Sequence, residues 1–154
     1  MRKARILASI AAAAGICLAA VPVSKAADED TREFVKLPPM MQEHMLANMR
    51  NHLATLNEIL GKLADGDVDA AAKLAEQQLG MSSLSMHGAE QLAQFMPEGM
   101  AQLGTQMHHA ASQFVIVAQD AELNPGKESQ HQVYRALQAI TENCNACHQS
   151  YRIR

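Results

Sequence analysis

Apolar residues recur every three or four positions through most of the chain after residue 38, and this period constrains the fold more than any other feature. The pattern is clearest in three segments: Leu46, Met49, Leu53, Leu56, Leu60 and Leu63; Met100, Leu103, Met107, Ala110, Phe114 and Val117; and Val133, Leu137, Ile140, Cys144, Cys147 and Tyr151. Such spacing places side chains on one face of an α-helix. Because only 3% of the residues are aromatic and Ala, Leu, Met and Gln are frequent, helix is favoured over sheet. The prediction is an all-α protein.

Turn and breaker residues divide this pattern into four predicted helices. The first begins at Pro38–Pro39 and ends at Gly66, the second runs to about Leu79, the third starts at Pro97, and the last follows the turn at 124–126. Residues 81–96 are compatible with either a helix or a packed loop. Since short connections make successive helices antiparallel, we expect residues 38–154 to form an up-down four-helix bundle.

The first 26 residues have the layout of a secretory signal peptide. Arg2, Lys3 and Arg5 precede an uncharged apolar run over residues 6–23, and Ser24-Lys25-Ala26 places small residues at a cleavage site. Cleavage near Ala26 predicts export to the periplasm. The alternative is an uncleaved membrane anchor, for which the run is near the lower length limit. Residues 27–37 are predicted to be an acidic, flexible leader.

Charge excludes some classes of partner. The full chain has a formal net charge of −3, and removal of four basic residues with the signal peptide leaves nine basic against 16 acidic residues, a net charge of −7. A nucleic-acid-binding protein needs Lys and Arg to neutralise phosphates, so no nucleic-acid partner is expected. No membrane span is predicted in the mature form, and the acidic field would steer encounters with basic partners.

The chemically informative motif is Cys144-Asn145-Ala146-Cys147-His148. Two thiols at i and i+3 with an imidazole at i+4 share one helical face. This arrangement suits one covalent haem c: the cysteine sulfurs form thioethers with the haem vinyl groups, and the histidine is an axial ligand of the iron. Cys144 and Cys147 are the only cysteines left after signal-peptide removal, and haem c is attached after export. Motif and compartment therefore agree.

Two other interpretations of the cysteine pair remain open. A dithiol redox pair is usually set at the start of a helix beside a strand, and no strand pattern is present here. A structural zinc site needs four ligands, and only the two cysteines and a few scattered histidines are available. The haem interpretation is favoured over both.

The C-terminal string Cys-Asn-Ala-Cys-His-Gln-Ser-Tyr-Arg, residues 144–152, resembles the terminal motif of the cytochrome c′ family, the class II cytochromes c. Over the whole mature chain, only the expected helical architecture resembles this family. The amino-acid sequence itself matches in detail only at residues 144–152. It implies a haem buried at one end of the bundle, attached to Cys144 and Cys147 with His148 as axial ligand. It further implies that the first helix covers the opposite face of the iron, with either a methionine ligand or an apolar residue. Several family members dimerise, so a homodimer is also implied as one state.

The first helix offers candidates for the distal iron ligand. In an antiparallel bundle the C-terminal His148 is level with the N-terminal half of this helix, which contains Met40, Met41, Met45 and Met49. Met49 lies on the predicted apolar seam and is the preferred ligand, and Met45 is the alternative. A purely structural role is also open, in which Met49 only fills space in the helical core. His87 or His108 is a further option. Arg50 is a candidate for a haem propionate contact, although a solvated surface arginine explains it equally.

These observations predict a periplasmic mono-haem cytochrome that carries single electrons between redox partner proteins. No Ser/His/Asp set, phosphate loop or pair of catalytic carboxylates is recognisable, so an enzyme is not predicted. The first alternative is a pentacoordinate haem protein that binds NO or CO. The second is a metal-binding protein without haem, since imidazole and thioether suit copper and nickel; its candidate ligands are His44, His52, His87, His108 and His109 with Met41, Met45, Met81, Met86 and Met107.

Overall fold

The computed structural model describes residues 29–154, and the described chain is mostly helical. Helix α1 spans Pro39–Ala64, α2 Val68–Leu79, α3 Ala89–Ala93, α4 Glu98–Leu123 and α5 Lys127–Ser150. Two-residue strands, β1 at Glu33–Phe34 and β2 at Tyr151–Arg152, pair in parallel. The all-α prediction is confirmed. The predicted signal peptide and its cleavage site lie outside the described residues.

The helix boundaries follow the breakers in the sequence. Helix α1 starts with Pro39 at its first position, where proline is tolerated because the missing N–H would have no intrahelical acceptor. Gly66 adopts a φ of 77°, which favours glycine, and reverses the chain after α1. Asp67 then caps α2, its carboxylate accepting a hydrogen bond of 3.1 Å from the backbone N–H of Ala70. Pro97 precedes α4 as predicted.

The segment between α2 and α4 combines both structures that the sequence allowed. A 3-10 turn at Met81–Ser83 is followed by the short helix α3. Gly88 precedes α3 with a φ of 63°, and the backbone carbonyl of Gly80 accepts a hydrogen bond of 2.7 Å from the Ser83 hydroxyl. This irregular segment presents His87 to the interior, where the side chain is buried.

Residues 31–154 form one compact unit with two clusters of buried side chains. The larger cluster joins α1, α2, α4 and α5 and includes Ile59, Leu79, Phe114 and Ile140, all nearly fully buried. The smaller cluster, formed by Val35, Leu37, Met45, Leu92 and Met100, lies at the end where the strands pair. Partly buried Cys147 and Tyr151 pack against the smaller cluster, which places the cysteine motif beside it.

The predicted apolar seam of α1 is wrong in its register. Leu53 and Leu60 are 70% and 52% exposed, and the buried residues of this helix are Met45, Asn48, His52, Thr55 and Ile59. The buried stripe keeps the spacing of three and four residues, but each of its members precedes a residue of the predicted seam by one position. A polar stripe can be buried because its groups find hydrogen-bond partners, which Asn48 and His52 do. The leucine face of α1 is left to line the cavities described below.

Part of the predicted flexible leader is instead held against the domain. Strand β1 pairs with β2, and the backbone N–H of Val35 donates a hydrogen bond of 2.8 Å to the carbonyl of Arg152. Val35 and Leu37 are buried, and the guanidinium of Arg152 lies 5.0 Å from the centre of the Phe34 ring. Residues 33–37 therefore belong to the folded domain, because their apolar side chains cover the end of the smaller cluster.

Candidate functional site

The cysteine motif occupies the last two turns of α5. Cys144 and Cys147 are half-buried, whereas His148 is exposed. Val133, Leu137 and Ile140 are buried on the same helix, as predicted, and hold α5 against the core. The helix ends at Ser150, so Tyr151 belongs to β2 and not to the last helix, which differs from the prediction. Its backbone N–H still donates to the carbonyl of Cys147 and closes the end of the helix.

Both cysteines are free thiols that favour the protonated form. Burial raises the pKa of the Cys144 thiol, and burial together with the neighbouring Cys144 raises the pKa of the Cys147 thiol. A catalytic dithiol pair requires the opposite, a pKa lowered toward or below neutrality, because the thiolate is the nucleophile. The local environment therefore does not favour thiol–disulfide exchange.

A cavity of about 300 Å³ lies against the motif, which we call the cysteine cavity. Cys144, Cys147 and His148 form one wall of it from α5. The remaining walls are mainly apolar and come from α1 and α4: Met49, His52, Leu53, Leu56, Leu103, Gly104 and Met107. The leucine face of α1, which lies beside the buried stripe of this helix, thus contributes Leu53 and Leu56 to the cavity.

The two predicted distal residues differ in their position relative to this cavity. Met49 is half-buried and lines the cysteine cavity. Met45 is 7% exposed and does not line it, but with Met49, Cys147 and His148 it lines a second cavity of about 320 Å³ at the strand end. Met49 therefore lines the same cavity as both cysteines and His148. Met45 lines a cavity that includes Cys147 and His148 but not Cys144.

Arg50 lies outside the cysteine cavity, on an open groove of about 940 Å³ between α1 and α5. Leu53 and Leu56 line both this groove and the cysteine cavity, so the two spaces adjoin. The arginine is exposed and can reach the groove without losing contact with solvent. This position is compatible with either of the two roles that the sequence suggested for it.

Three of the five histidines considered as metal ligands lie together in the interior. His52, His87 and His108 are buried, and their rings are neighbours. His109 is exposed, and His44 is half-buried with its Nε2 atom 2.9 Å from the carbonyl oxygen of His87. The position of His52 at the cysteine cavity was not expected from the sequence. Its place three residues after Met49, on the same helical face, was the available signal.

No group of three or more His, Cys, Asp or Glu side chains within residues 29–154 is arranged to hold a metal ion. None of the helices described is long and apolar enough to cross a membrane.

Comparison with known proteins adds no relative. No protein-family model matches the chain, and neither the curated proteins nor the solved structures contain a match. Function must therefore be argued from the residues around the cysteine cavity.

Proposed function

We propose that this protein is an exported mono-haem c-type cytochrome that carries single electrons between redox partner proteins. The single observation that carries the proposal is that Cys144, Cys147, His148 and Met49 line one mainly apolar cavity. The first three residues form the attachment motif for haem c, and the fourth is a thioether, a known axial ligand of cytochromes c.

The donor set and the walls of the cavity fit this group. Cys144 and Cys147 would supply the thioether sulfurs, and their thiols are protonated and not paired with each other. Leu53, Leu56 and Leu103 offer an apolar surface of the kind that excludes water from a porphyrin ring. When bound, the iron would supply the Fe(III)/Fe(II) couple, and the protein would tune its potential by axial ligation and burial.

Each of the four residues has a distinct task in this proposal. The two cysteines hold the group covalently, so it is retained after export. His148 and Met49 would both hold the iron, and a second protein ligand would keep external ligands from binding to it. The bound group would supply the redox chemistry, so the proposal requires no substrate pocket.

We also propose that α1, α2, α4 and α5 form the antiparallel up-down bundle expected from the sequence. The three-residue connections at 65–67 and 124–126 support it, as does the contact of Gly99, at the start of α4, with Tyr151, just beyond the end of α5. Spin labels at exposed Gln102 and Gln149 should then lie close together. In a parallel pair they would be about 27 Å apart along the helix axes, because Gln102 lies four residues after the start of α4, Gln149 lies 22 residues after the start of α5, and each residue of a helix rises about 1.5 Å.

The test of the proposed function is the absorption spectrum of the protein exported with an intact cytochrome c maturation system. Sharp low-spin ferrous bands that resist CO are expected for an electron carrier with two axial ligands. Broad high-spin bands that shift at once with CO would replace this function with NO or CO binding. Protein that stays colourless would remove both haem functions.

A further inference from the structure

Three buried histidines from separate parts of the chain meet beside the cysteine cavity. His52 comes from α1, His87 from the segment before α3, and His108 from α4. Their ring centres are 4.6 Å (His52–His87), 5.4 Å (His87–His108) and 6.0 Å (His52–His108) apart. Imidazoles that share one metal ion have centres about 5 Å apart, because each metal–nitrogen bond is about 2.0–2.1 Å long. The His52–His87 and His87–His108 pairs are close to this spacing.

All three imidazoles favour the neutral form that binds metals. Burial, followed by repulsion from His87 and His108, lowers the pKa of His52 to about 4. Burial also lowers the pKa of His87, with His108 and His44 adding to the effect. For His108, burial lowers the pKa despite hydrogen bonds to the backbone of Leu79 and Gly80 that act in the opposite direction. At neutral pH no proton has to be displaced from a charged ring.

Hydrogen bonds around the cluster orient its members. The Nδ1 atom of His108 lies 2.7 Å from the carbonyl oxygen of Leu79 and donates to it, which leaves Nε2 with the lone pair. The carbonyl oxygen of His87 accepts a hydrogen bond of 2.9 Å from the Asn48 side chain, and this holds the backbone of the segment before α3 in place. Metal-binding histidines in proteins are commonly fixed by such outer contacts.

The ring nitrogens of His52 and His87 lie closest to each other. His52 Nε2 is 3.3 Å from His87 Nδ1, so one of the two neutral rings donates and the other accepts. Two nitrogens that bind one ion are separated by a similar distance, about 3.3 Å at a bond length of about 2.0 Å. Replacing the shared hydrogen by an ion thus needs a change of tautomer and only small movements of the rings.

The cavity beside these rings, which we call the histidine cavity, has a volume of about 260 Å³ and contains four methionines in its lining: Met45, Met49, Met96 and Met107. None of the described residues that line it is Asp or Glu, so it offers no anionic oxygen to a hard cation such as Mg²⁺ or Ca²⁺. Thioether sulfur together with imidazole selects soft metals, above all Cu(I). No three of the His, Cys, Asp and Glu side chains described are arranged to hold an ion, and the further donors that this cavity offers are the methionine sulfurs.

We propose that the histidine cavity binds one Cu(I) ion through His52 and His87, with thioether sulfur from its methionines other than Met49. This site goes beyond the proposed electron carrier and does not depend on it, since none of its donors belongs to the Cys144–His148 motif. Met49, His52 and Met107 line both the histidine cavity and the cysteine cavity, so the copper would lie next to the space assigned to haem.

The experiment is an anaerobic titration of the full exported protein with Cu(I) against a chromogenic Cu(I) chelator. The Cys144 and Cys147 thiols must first be occupied, by haem or by alkylation if no haem is attached, so that thiol sulfur does not bind copper. We expect one equivalent to bind, and we expect the double variant His52→Gln/His87→Gln to bind at least ~10-fold more weakly. That is the lower end of the loss seen when only an outer partner of a metal ligand is removed.

The matched control is His109→Gln/His131→Gln, which removes two histidines that are both exposed. It should keep the affinity of the wild type. Because Cu(I) is diamagnetic, NMR of the wild type gives a second test that needs no variant: the ring signals of His52 and His87 should shift, and those of His131 should not. Absence of Cu(I) binding, equal affinity in the two double variants, or shifts confined to exposed histidines would each overturn the proposal.

Discussion

The phenol oxygen of Tyr151 lies so close to Gly99 that a β-carbon added at Gly99 would be 2.5 Å from it. This contact joins the first turn of α4 to the residue that follows α5. A β-carbon at Gly99 would force the Tyr151 side chain to move, because real β-carbons do not come so near another heavy atom. Tyr151 also lies in β2 and beside Cys147, so the contact helps to position the cysteine motif against α4.

Gly99→Ala should destabilise the fold by about 1–3 kcal/mol, because the added methyl group forces the tyrosine ring to move. In a Tyr151→Phe background, which lacks the phenol oxygen, the same change should cost at least about 0.5 kcal/mol less. Urea unfolding of the four proteins measures this coupling. As a control, Gly61→Ala meets no atom within 4 Å and should stabilise α1 by about 0.5–1 kcal/mol. Additive effects of the Gly99 and Tyr151 changes would contradict the contact.

Cys147→Ala should leave one thioether and reduce the yield of haem-loaded protein, because one of the two attachment sulfurs is lost. Mass spectrometry after denaturation separates singly attached, doubly attached and haem-free chains. Ser150→Ala, at an exposed position three residues further along α5, should keep the wild-type yield. A normal yield of doubly attached haem in Cys147→Ala would be incompatible with the attachment motif.

Met49→Leu should change the ferrous spectrum from low-spin to high-spin and allow direct CO binding, because leucine keeps the volume of methionine without its sulfur. Met45→Leu is the matched control on the same helix and should keep the wild-type spectrum, since Met45 does not line the cysteine cavity. The reverse result would assign Met45 as the ligand. Unchanged spectra in both variants would rule out both methionines as the iron ligand.

Acid should destabilise the folded protein over a pH range that is set by the pKa of His52 in the folded and unfolded chains. Its pKa is lowered from 6.5 to about 4, first by burial, so the unfolded chain takes up the proton before the folded chain as the pH falls. The stability is therefore complete above about pH 6.5 and is lost progressively toward pH 4. From pH 7 to pH 5 the loss should be roughly 2 kcal/mol from this residue.

Urea unfolding at pH 7 and at pH 5 measures this loss. Both pH values lie above 4.5, the ordinary pKa from which the Glu76 carboxyl is lowered in the folded protein, so this carboxyl contributes little to the difference in stability. His52→Gln should reduce the difference in unfolding free energy between pH 7 and pH 5. His87 and His108, whose pKa values are also lowered, should account for a remaining difference of the same sign. His131→Gln, an exposed histidine, should not reduce it. Equal pH dependence in the His52→Gln variant and the wild type would refute the assignment.

The corrected register of α1 can be tested with two neighbouring residues. Ile59 is fully buried and Leu60 is 52% exposed, although the sequence pattern predicted Leu60 for the core. Ile59→Ala should cost about 2–5 kcal/mol, because it removes buried methyl groups and leaves a cavity. Leu60→Ala should cost about 0.5 kcal/mol or less. The reverse order of the two losses would restore the register predicted from the sequence.

The sequence determined the helical class, several helix boundaries and the place of the cysteine motif. Each of these depends on residues close together along the chain. Pro39 and Pro97 fit only the start of a helix, Gly66 supplies a left-handed turn, and Cys144, Cys147 and His148 share a face by their spacing alone. Local geometry fixes such features before any long-range contact forms.

Only the tertiary structure decided which face of α1 is buried and which histidines meet. A periodic pattern gives the faces of one helix, but it does not say which face a partner covers. Asn48 and His52 can be buried because their hydrogen-bond partners come from residue 87, 39 and 35 positions further along the chain. Without those partners the free energy of burial would favour the leucines, which is what the sequence predicted. The meeting of His52, His87 and His108 has the same origin, since it depends on how three separate segments pack and not on the spacing within any of them.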